Sequence, residues 1–364
     1  MKRRLEILWI AGALAALALL PGLADTAGSG GVAKLGPLPE LEGPDPEMAA
    51  LGKMLFFDVR LSGDASLACA SCHKPEHGWA DGEELSLAYP GSKYFRNAKS
   101  VVNMAHMRYF YWDGRLTGKD ADTQVRDKIT ETHFMNLDGR LMLERLKQVP
   151  EYVERFNAVF GGEPSFGRTL EAIAAFEKTL VSRNAPFDTG RMTEEARRGL
   201  ELFQGKAGCV SCHNGPMFSD FEPHRTGVAD HPELMTDPER ITTFRSMMKF
   251  LGVPNFENLA GDPGFYTVSK LPDDIGKFVT PSLREVGRTA PYMHNGTFWT
   301  LGEVVDFYDR GGGEDAELEP LGLSDREKKD LVAFLQSLSG DELIVEAPDL
   351  PAYRVIDNWL EVPN

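Results

Sequence analysis

The sequence predicts a mainly α-helical protein built as two related units with long loops. Three observations support that class. Apolar residues recur at helical spacing in several stretches, whereas strand-like alternation is weak throughout. A Gly-x-x-Leu-Phe helix ending occurs twice, at Gly52-Lys53-Met54-Leu55-Phe56 and at Gly199-Leu200-Glu201-Leu202-Phe203. Each copy precedes a Cys-x-x-Cys-His pentapeptide, first Cys69-Ala70-Ser71-Cys72-His73 and then Cys209-Val210-Ser211-Cys212-His213. Repetition of helix and pentapeptide in the same order argues for two related units rather than two accidental motifs.

The pentapeptides account for all four cysteines. Cys-x-x-Cys-His is the attachment signal of c-type haem, in which each thiol bonds a vinyl group and the histidine binds iron. Two disulfides, or one zinc held by four thiolates, would leave two identically placed histidines without a role. Cys69, Cys72 and His73 are therefore expected to hold one haem, and Cys209, Cys212 and His213 a second.

Residues 1–24 read as an export signal. Lys2, Arg3 and Arg4 form the basic start, Ile7 to Leu20 the apolar run, and Gly22-Leu23-Ala24 a small-residue cleavage site. The run is short for a membrane span. Export suits covalent haem, which is attached outside the bacterial cytoplasm, so a periplasmic location is expected. Residues 25–44, rich in Gly, Pro and Ala, read as a flexible leader. The first haem unit is expected over residues 45–185 and the second over 186–345, followed by a tail at 346–364. Asp45-Pro46 starts the helix before the first pentapeptide, and Thr193 caps the one before the second. Residues 141–160 read as helical with an interruption at Pro150. Residues 164–182 place Leu170, Ile173, Ala174 and Leu180 on one face. Ser324-Asp325-Arg326-Glu327 is a capping box opening a last helix that Gly340 stops. Residues 80–97 and 224–277 read as loops. The net charge of −16 makes nucleic-acid binding an unsuitable function.

The run Thr289-Ala290-Pro291-Tyr292-Met293-His294-Asn295-Gly296-Thr297-Phe298-Trp299, with Arg96-Asn97-Ala98 and Trp112-Asp113-Gly114-Arg115, resembles the bacterial di-haem cytochrome c peroxidases and their relative MauG. The resemblance covers roughly residues 45–340 and implies two cytochrome c-like haem domains. It implies that the first haem, on His73, reacts with hydrogen peroxide, and that the second, on His213, transfers electrons. The family's second ligand to the electron-transfer iron falls at Tyr308, the MauG arrangement, with Met293 as the competing ligand. A histidine in the loop before Arg-Asn-Ala, which blocks the reactive iron in many peroxidases, is absent; Tyr89 stands at that spacing.

For the distal acid, Gln124 matches a family glutamine, and alignment from it puts Phe134 where a glutamate belongs. Glu131, expected to be buried and to keep its proton near neutrality, is the favoured substitute, with His133 second. Trp112 matches the tryptophan between the haems. A calcium ion is implied at Asn97, Thr289 and Pro291. The implied partners are a small c-type cytochrome or cupredoxin as electron donor and a second copy of the chain, as relatives commonly dimerise. Two other readings remain open: a MauG-like oxidase using high-valent iron on Trp or Tyr residues of a protein substrate, and a non-catalytic di-haem electron carrier.

Overall fold

The computed structural model describes residues 32–354. The expected export signal and the last part of the tail, residues 355–364, lie outside the described residues. In chain order the helices are α1 (Pro46–Phe56), α2 (Ala121–Thr130), α3 (Gly139–Lys147), α4 (Pro150–Phe160), α5 (Phe166–Thr179), α6 (Glu194–Gln204), α7 (Pro238–Phe250), α8 (Tyr266–Ser269), α9 (Leu301–Asp309) and α10 (Asp325–Gln336). Short turns of 3-10 helix and two short antiparallel ribbons complete the described regular structure. In one, β1 (Tyr109–Phe110) pairs with β2 (Leu116–Thr117); in the other, β3 (Pro223–His224) pairs with β4 (Phe278–Val279).

Local chemistry explains most helix ends. Asp45 Oδ1 accepts from Met48 N at 2.8 Å, and Pro46 occupies the first turn of α1, where a missing N–H costs nothing. Ser165 caps α5 and Thr193 caps α6. Ser324 and Glu327 form the reciprocal box at α10. Pro150 separates α3 from α4, as a proline that opens a helix rather than interrupts one.

The Gly-x-x-Leu-Phe repeat finds its physical meaning in two equivalent helix crossings. A Cβ on Gly52 would collide with the Ala172 carbonyl and crowd Phe176 of α5; one on Gly199 would collide with the Asp330 carbonyl and crowd Phe334 of α10. Both glycines let helix backbones touch, while Phe56 and Phe203 are fully buried beside them. Gly52→Ala and Gly199→Ala are each expected to cost about 1–3 kcal/mol or more through overpacking. Chemical denaturation checks this, and an unchanged midpoint would refute the role.

Two apolar cores result. One gathers Leu51, Leu55, Phe56, Ile129, Tyr152, Phe156, Ile173 and Phe176, and the other Phe203, Phe218, Leu331, Phe334 and Leu338. The termini cross over between them. Leu35 packs on the second core, Ala33 O accepts from Gly215 N at 3.1 Å, and Gly36 O accepts from Arg284 at 2.7 Å. The described part of the expected flexible leader, residues 32–44, thus has no regular structure but is tied down from Ala33 to Gly36. At the other end Leu343 and Val345 pack on the first core, Leu343 O accepts from Trp79 Nε1 at 2.8 Å, and Pro351 O accepts from Arg60 at 2.8 Å.

One expected loop needs correction. Residues 224–277 contain the thirteen-residue α7, whose Asp237 cap accepts from Glu239 N and Arg240 N. Phe244, Met247 and Met248 of α7 bury against Tyr94 and Phe95 of the earlier loop, forming a third apolar cluster. Periodicity missed it because the buried partner lies far away in sequence. Helices α2 and α9 were also not foreseen, and both carry residues of the site.

Candidate functional site

Each pentapeptide forms a turn of 3-10 helix, Cys69–Ser71 and Cys209–Ser211, and opens onto a large cavity. The first has a cavity volume of about 170 Å³ and the second of about 410 Å³, and both are open to solvent with mainly apolar walls. Both histidines are oriented alike. His73 Nδ1 lies 3.0 Å from the Trp79 carbonyl and His213 Nδ1 lies 3.0 Å from the Phe218 carbonyl. Each bond places the proton on Nδ1 and leaves Nε2 as the free electron-pair donor. Burial pushes His73 down to about 4, against the Trp79 carbonyl, and lowers His213 as well. Both rings are therefore neutral near pH 7, as iron ligation requires. Paired thiols, a neutral imidazole and mostly apolar walls fit a covalent haem in each cavity.

The first cavity is walled by Ser86, Leu87 and Ala88 of the loop, by Tyr94, Tyr111 and Phe134, by Gln124 and Lys128 of α2, and by Glu177 of α5. Its lining includes no histidine besides His73. Tyr89 is not in the lining; its hydroxyl lies against Gly63. Of the residues expected to move protons, Gln124 reaches the cavity, whereas Glu131 and His133 do not. Those two face each other at 3.1 Å between Oε2 and Nε2, without hydrogen-bond alignment. The expectation that Glu131 keeps its proton near neutrality is corrected. Burial opposes its ionisation, but His133, Arg115 and Lys128 outweigh burial and hold the carboxyl below its usual range. Phe134, the residue aligned with the family's glutamate, does line the cavity.

The second cavity is lined by His213, Met293, His294 and Tyr308, among others. Tyr308 lies in the last turn of α9, which Thr300 and Glu303 start with a capping box. Burial raises its phenol well above the ordinary value, so the apolar wall alone favours the protonated form and a metal would have to displace that proton. His294 is stacked on Phe278 with centroids 3.7 Å apart and is pushed down to about 4 by burial. Tyr308 and Met293 both border this cavity, so the geometry keeps both as candidate ligands.

Trp112, Met107 and the run from Asn97 to Ser100 line both cavities and form the wall between them. Trp112 Nε1 donates to the Asn97 carbonyl at 3.0 Å, and Lys99 Nζ lies 5.3 Å from its ring centre. A buried ion network anchors this wall. Arg96 donates to Asp262 at 2.6 and 2.8 Å and to Asp113 at 2.5 Å, while Arg115 reaches Asp113 at 3.0 Å. Arg-Asn-Ala and Trp-Asp-Gly-Arg are thus two halves of one structural lock. Asn97, Thr289 and Pro291 come together at the second cavity. Asn97 Nδ2 donates to the Glu83 carbonyl at 2.8 Å, leaving Oδ1 available. One amide oxygen with two backbone carbonyls suits a hard cation that keeps several waters.

Sequence reasoning missed two cavity residues. Lys128 sits on α2, which was not foreseen, one turn after Gln124. Glu177 follows Phe176 at the α1–α5 crossing, as Leu335 follows Phe334 at the α6–α10 crossing, and both line their cavities. Comparing the repeats would have marked Glu177 as a carboxyl in an apolar position. It is 3% exposed, its Oε2 has no hydrogen-bond partner, and burial raises it to about 8 against the pull of Lys128 and Lys178. Because the folded value exceeds the unfolded one, its favourable contribution is complete below about 4.5 and lost as pH rises through about 8. Glu177→Leu should therefore stabilise the protein increasingly between those limits. Thermal midpoints from pH 5 to 9 test this, and a pH-independent difference would contradict it.

A family model described as di-haem cytochrome c peroxidase matches residues 46–196. Cytochrome-c peroxidase IdrP2 of Denitromonas iodatirespirans is 49% identical, over 94% of this chain and 96% of its own. Methylamine utilization protein MauG of Methylorubrum extorquens is 36% identical over 86% and 84%, and cytochrome c551 peroxidase of Pseudomonas aeruginosa 33% identical over 83% and 81%. Among solved structures, a MauG-like protein associated with microbial copper homeostasis superimposes with a TM-score of 0.70 at 28% identity. That match covers 84% of this chain and 95% of the other.

Proposed function

Because the chain belongs to the di-haem cytochrome c peroxidase family, oxidoreductases that act on peroxide, we propose that it reduces hydrogen peroxide at its first cavity with electrons entering through its second. Cys69 and Cys72 tether the first haem with His73 on iron; Cys209, Cys212 and His213 hold the second. The haems supply redox-active iron, and the balance is H2O2 with two protons and two electrons giving two waters. The Trp79 and Phe218 carbonyls hold the two imidazoles in donor orientation. Tyr308, or else Met293, completes the second iron's ligation, and Trp112 bridges the two cavities. Asn97, Thr289 and Pro291 hold a calcium ion that fixes that bridge. The two haem domains span residues 45–185 and 186–345. The electron donor is a small c-type cytochrome or cupredoxin, and the protein works as an exported periplasmic enzyme, as a homodimer. Among the described residues no helix is long and apolar enough to cross a membrane.

The observation carrying this reading is the contrast between the cavities. The loop bordering the first supplies no histidine opposite His73, and Tyr89 is turned away, whereas the second contains Tyr308 and Met293. One reactive and one closed iron are the division of labour a two-haem peroxidase needs. The resting ferric protein should therefore show one high-spin and one low-spin haem, and should consume peroxide with a reduced small redox protein. Two low-spin signals and no turnover would defeat the proposal.

Tyr308 specifically favours a second reading. An oxygen ligand on the second iron supports a MauG-like oxidase that withdraws electrons from Trp or Tyr of a protein substrate. Peroxide added to the fully oxidised protein discriminates: a long-lived state with both haems oxidised points to that chemistry, and a need for prior half-reduction points to the peroxidase.

A further inference from the structure

We propose that Lys128 is the residue that moves the proton when peroxide is cleaved in the first cavity, in the role usually given to a carboxylic acid. This rests on the peroxidase reading above.

Gln124 and Lys128 are one turn apart on α2 and both reach the cavity. Lys128 Nζ lies 3.3, 4.6 and 5.7 Å from the ring centres of Phe134, Tyr111 and Tyr94, three rings that also line the cavity. Among the described residues no carboxylate is within ion-pairing distance of its nitrogen. Asp127 turns to Arg126 at 2.7 Å, and Glu131 turns to His133 outside the lining. Glu177 is the one carboxyl in the lining; it sits at the α1–α5 crossing, where it and the Lys128 ammonium attract each other without forming an ion pair.

The charge balance on Lys128 makes a base available at neutral pH. Burial disfavours its ammonium most, and Arg115 behind the Tyr111 ring repels it. Glu131 and Asp127 act the other way, without restoring the ordinary value. Tyr94 and Tyr111 are held protonated by burial and add no charge. Lys128 is thereby pushed down to about 7, where both of its forms are populated and general acid–base catalysis is most effective.

The step balances as follows. The neutral amine takes the proton from the inner oxygen of hydrogen peroxide as that oxygen binds. The ammonium returns it to the outer oxygen, which leaves as water when the O–O bond breaks. Two electrons from the external one-electron donor and two protons from solvent convert the remaining oxygen to the second water. Lys128 ends as it began.

Lys128→Met and Lys128→Arg, each verified by mass to carry two haems, test the assignment, with Glu177→Gln and Glu131→Gln beside them. In the lysine variants kcat/KM for peroxide should fall by about 10²–10⁴-fold and lose its inflection near pH 7. Added methylamine should partly restore Lys128→Met. Cyanide association with the first ferric haem, which requires loss of a proton from HCN, should slow and lose the same inflection. Wild-type rates in Lys128→Met would overturn the proposal. So would an inflection that survives there but disappears in either glutamate variant. So would a low-spin first haem that becomes high-spin on Lys128→Met, since the amine would then be an iron ligand. If the unaltered protein fails to turn over peroxide, the functional reading falls, while the cyanide arm still decides the role of Lys128.

Discussion

Replacing His73 by glycine is expected to abolish peroxide turnover, to background, and added imidazole should restore part of it. Among the described residues His73 is the only histidine lining the first cavity, and with Nδ1 committed to the Trp79 carbonyl its Nε2 is the donor left for iron. Without it the iron loses the electron-donating ligand that supports cleavage of a bound oxidant. The second haem should keep its low-spin spectrum, since the Phe218 carbonyl orients His213 independently. Steady-state assay with a reduced small redox protein, together with spectra of both haems, checks the result. Turnover retained in His73→Gly would move the reaction to the haem on His213 and reverse the roles assigned here.

Tyr308→Met is expected to raise the second haem's reduction potential by on the order of tenths of a volt, because axial ligands set haem potentials over ≈ 0.8 V. An oxygen donor stabilises the ferric state, whereas a thioether stabilises the ferrous state. The substitution keeps an elongated apolar side chain at the end of α9, so the wall around it should survive. Potentiometry with the optical signal of the low-spin haem measures the shift. An unchanged potential would remove Tyr308 as ligand and leave Met293, which borders the same cavity.

Features written in local chemistry were legible without coordinates. Asp45, Thr193 and Ser324 cap the helices they precede, because a cap depends on the next three residues alone. The pentapeptides mark where haem is expected to attach, since thiols and imidazole must be adjacent. The repeated glycine was visible, but its reason was not: Gly52 and Gly199 are required by Ala172 and Asp330, more than a hundred residues away. Helix α7 escaped notice because its apolar face answers to Tyr94 and Phe95 in another loop. Glu131 was favoured as distal acid because burial was foreseen; its pairing with His133 and the repulsion-relieving cations nearby were not.

By itself, then, the sequence determined the mainly helical fold class and the motifs that mark a di-haem family. The tertiary structure alone decided which side chains share a cavity: Lys128 and Glu177 inside the first, Glu131 outside it, Trp112 between the two. The reason is physical. Attachment chemistry acts through neighbouring bonds, whereas charge state and reach are set by desolvation and by packing of distant segments, which no local pattern encodes.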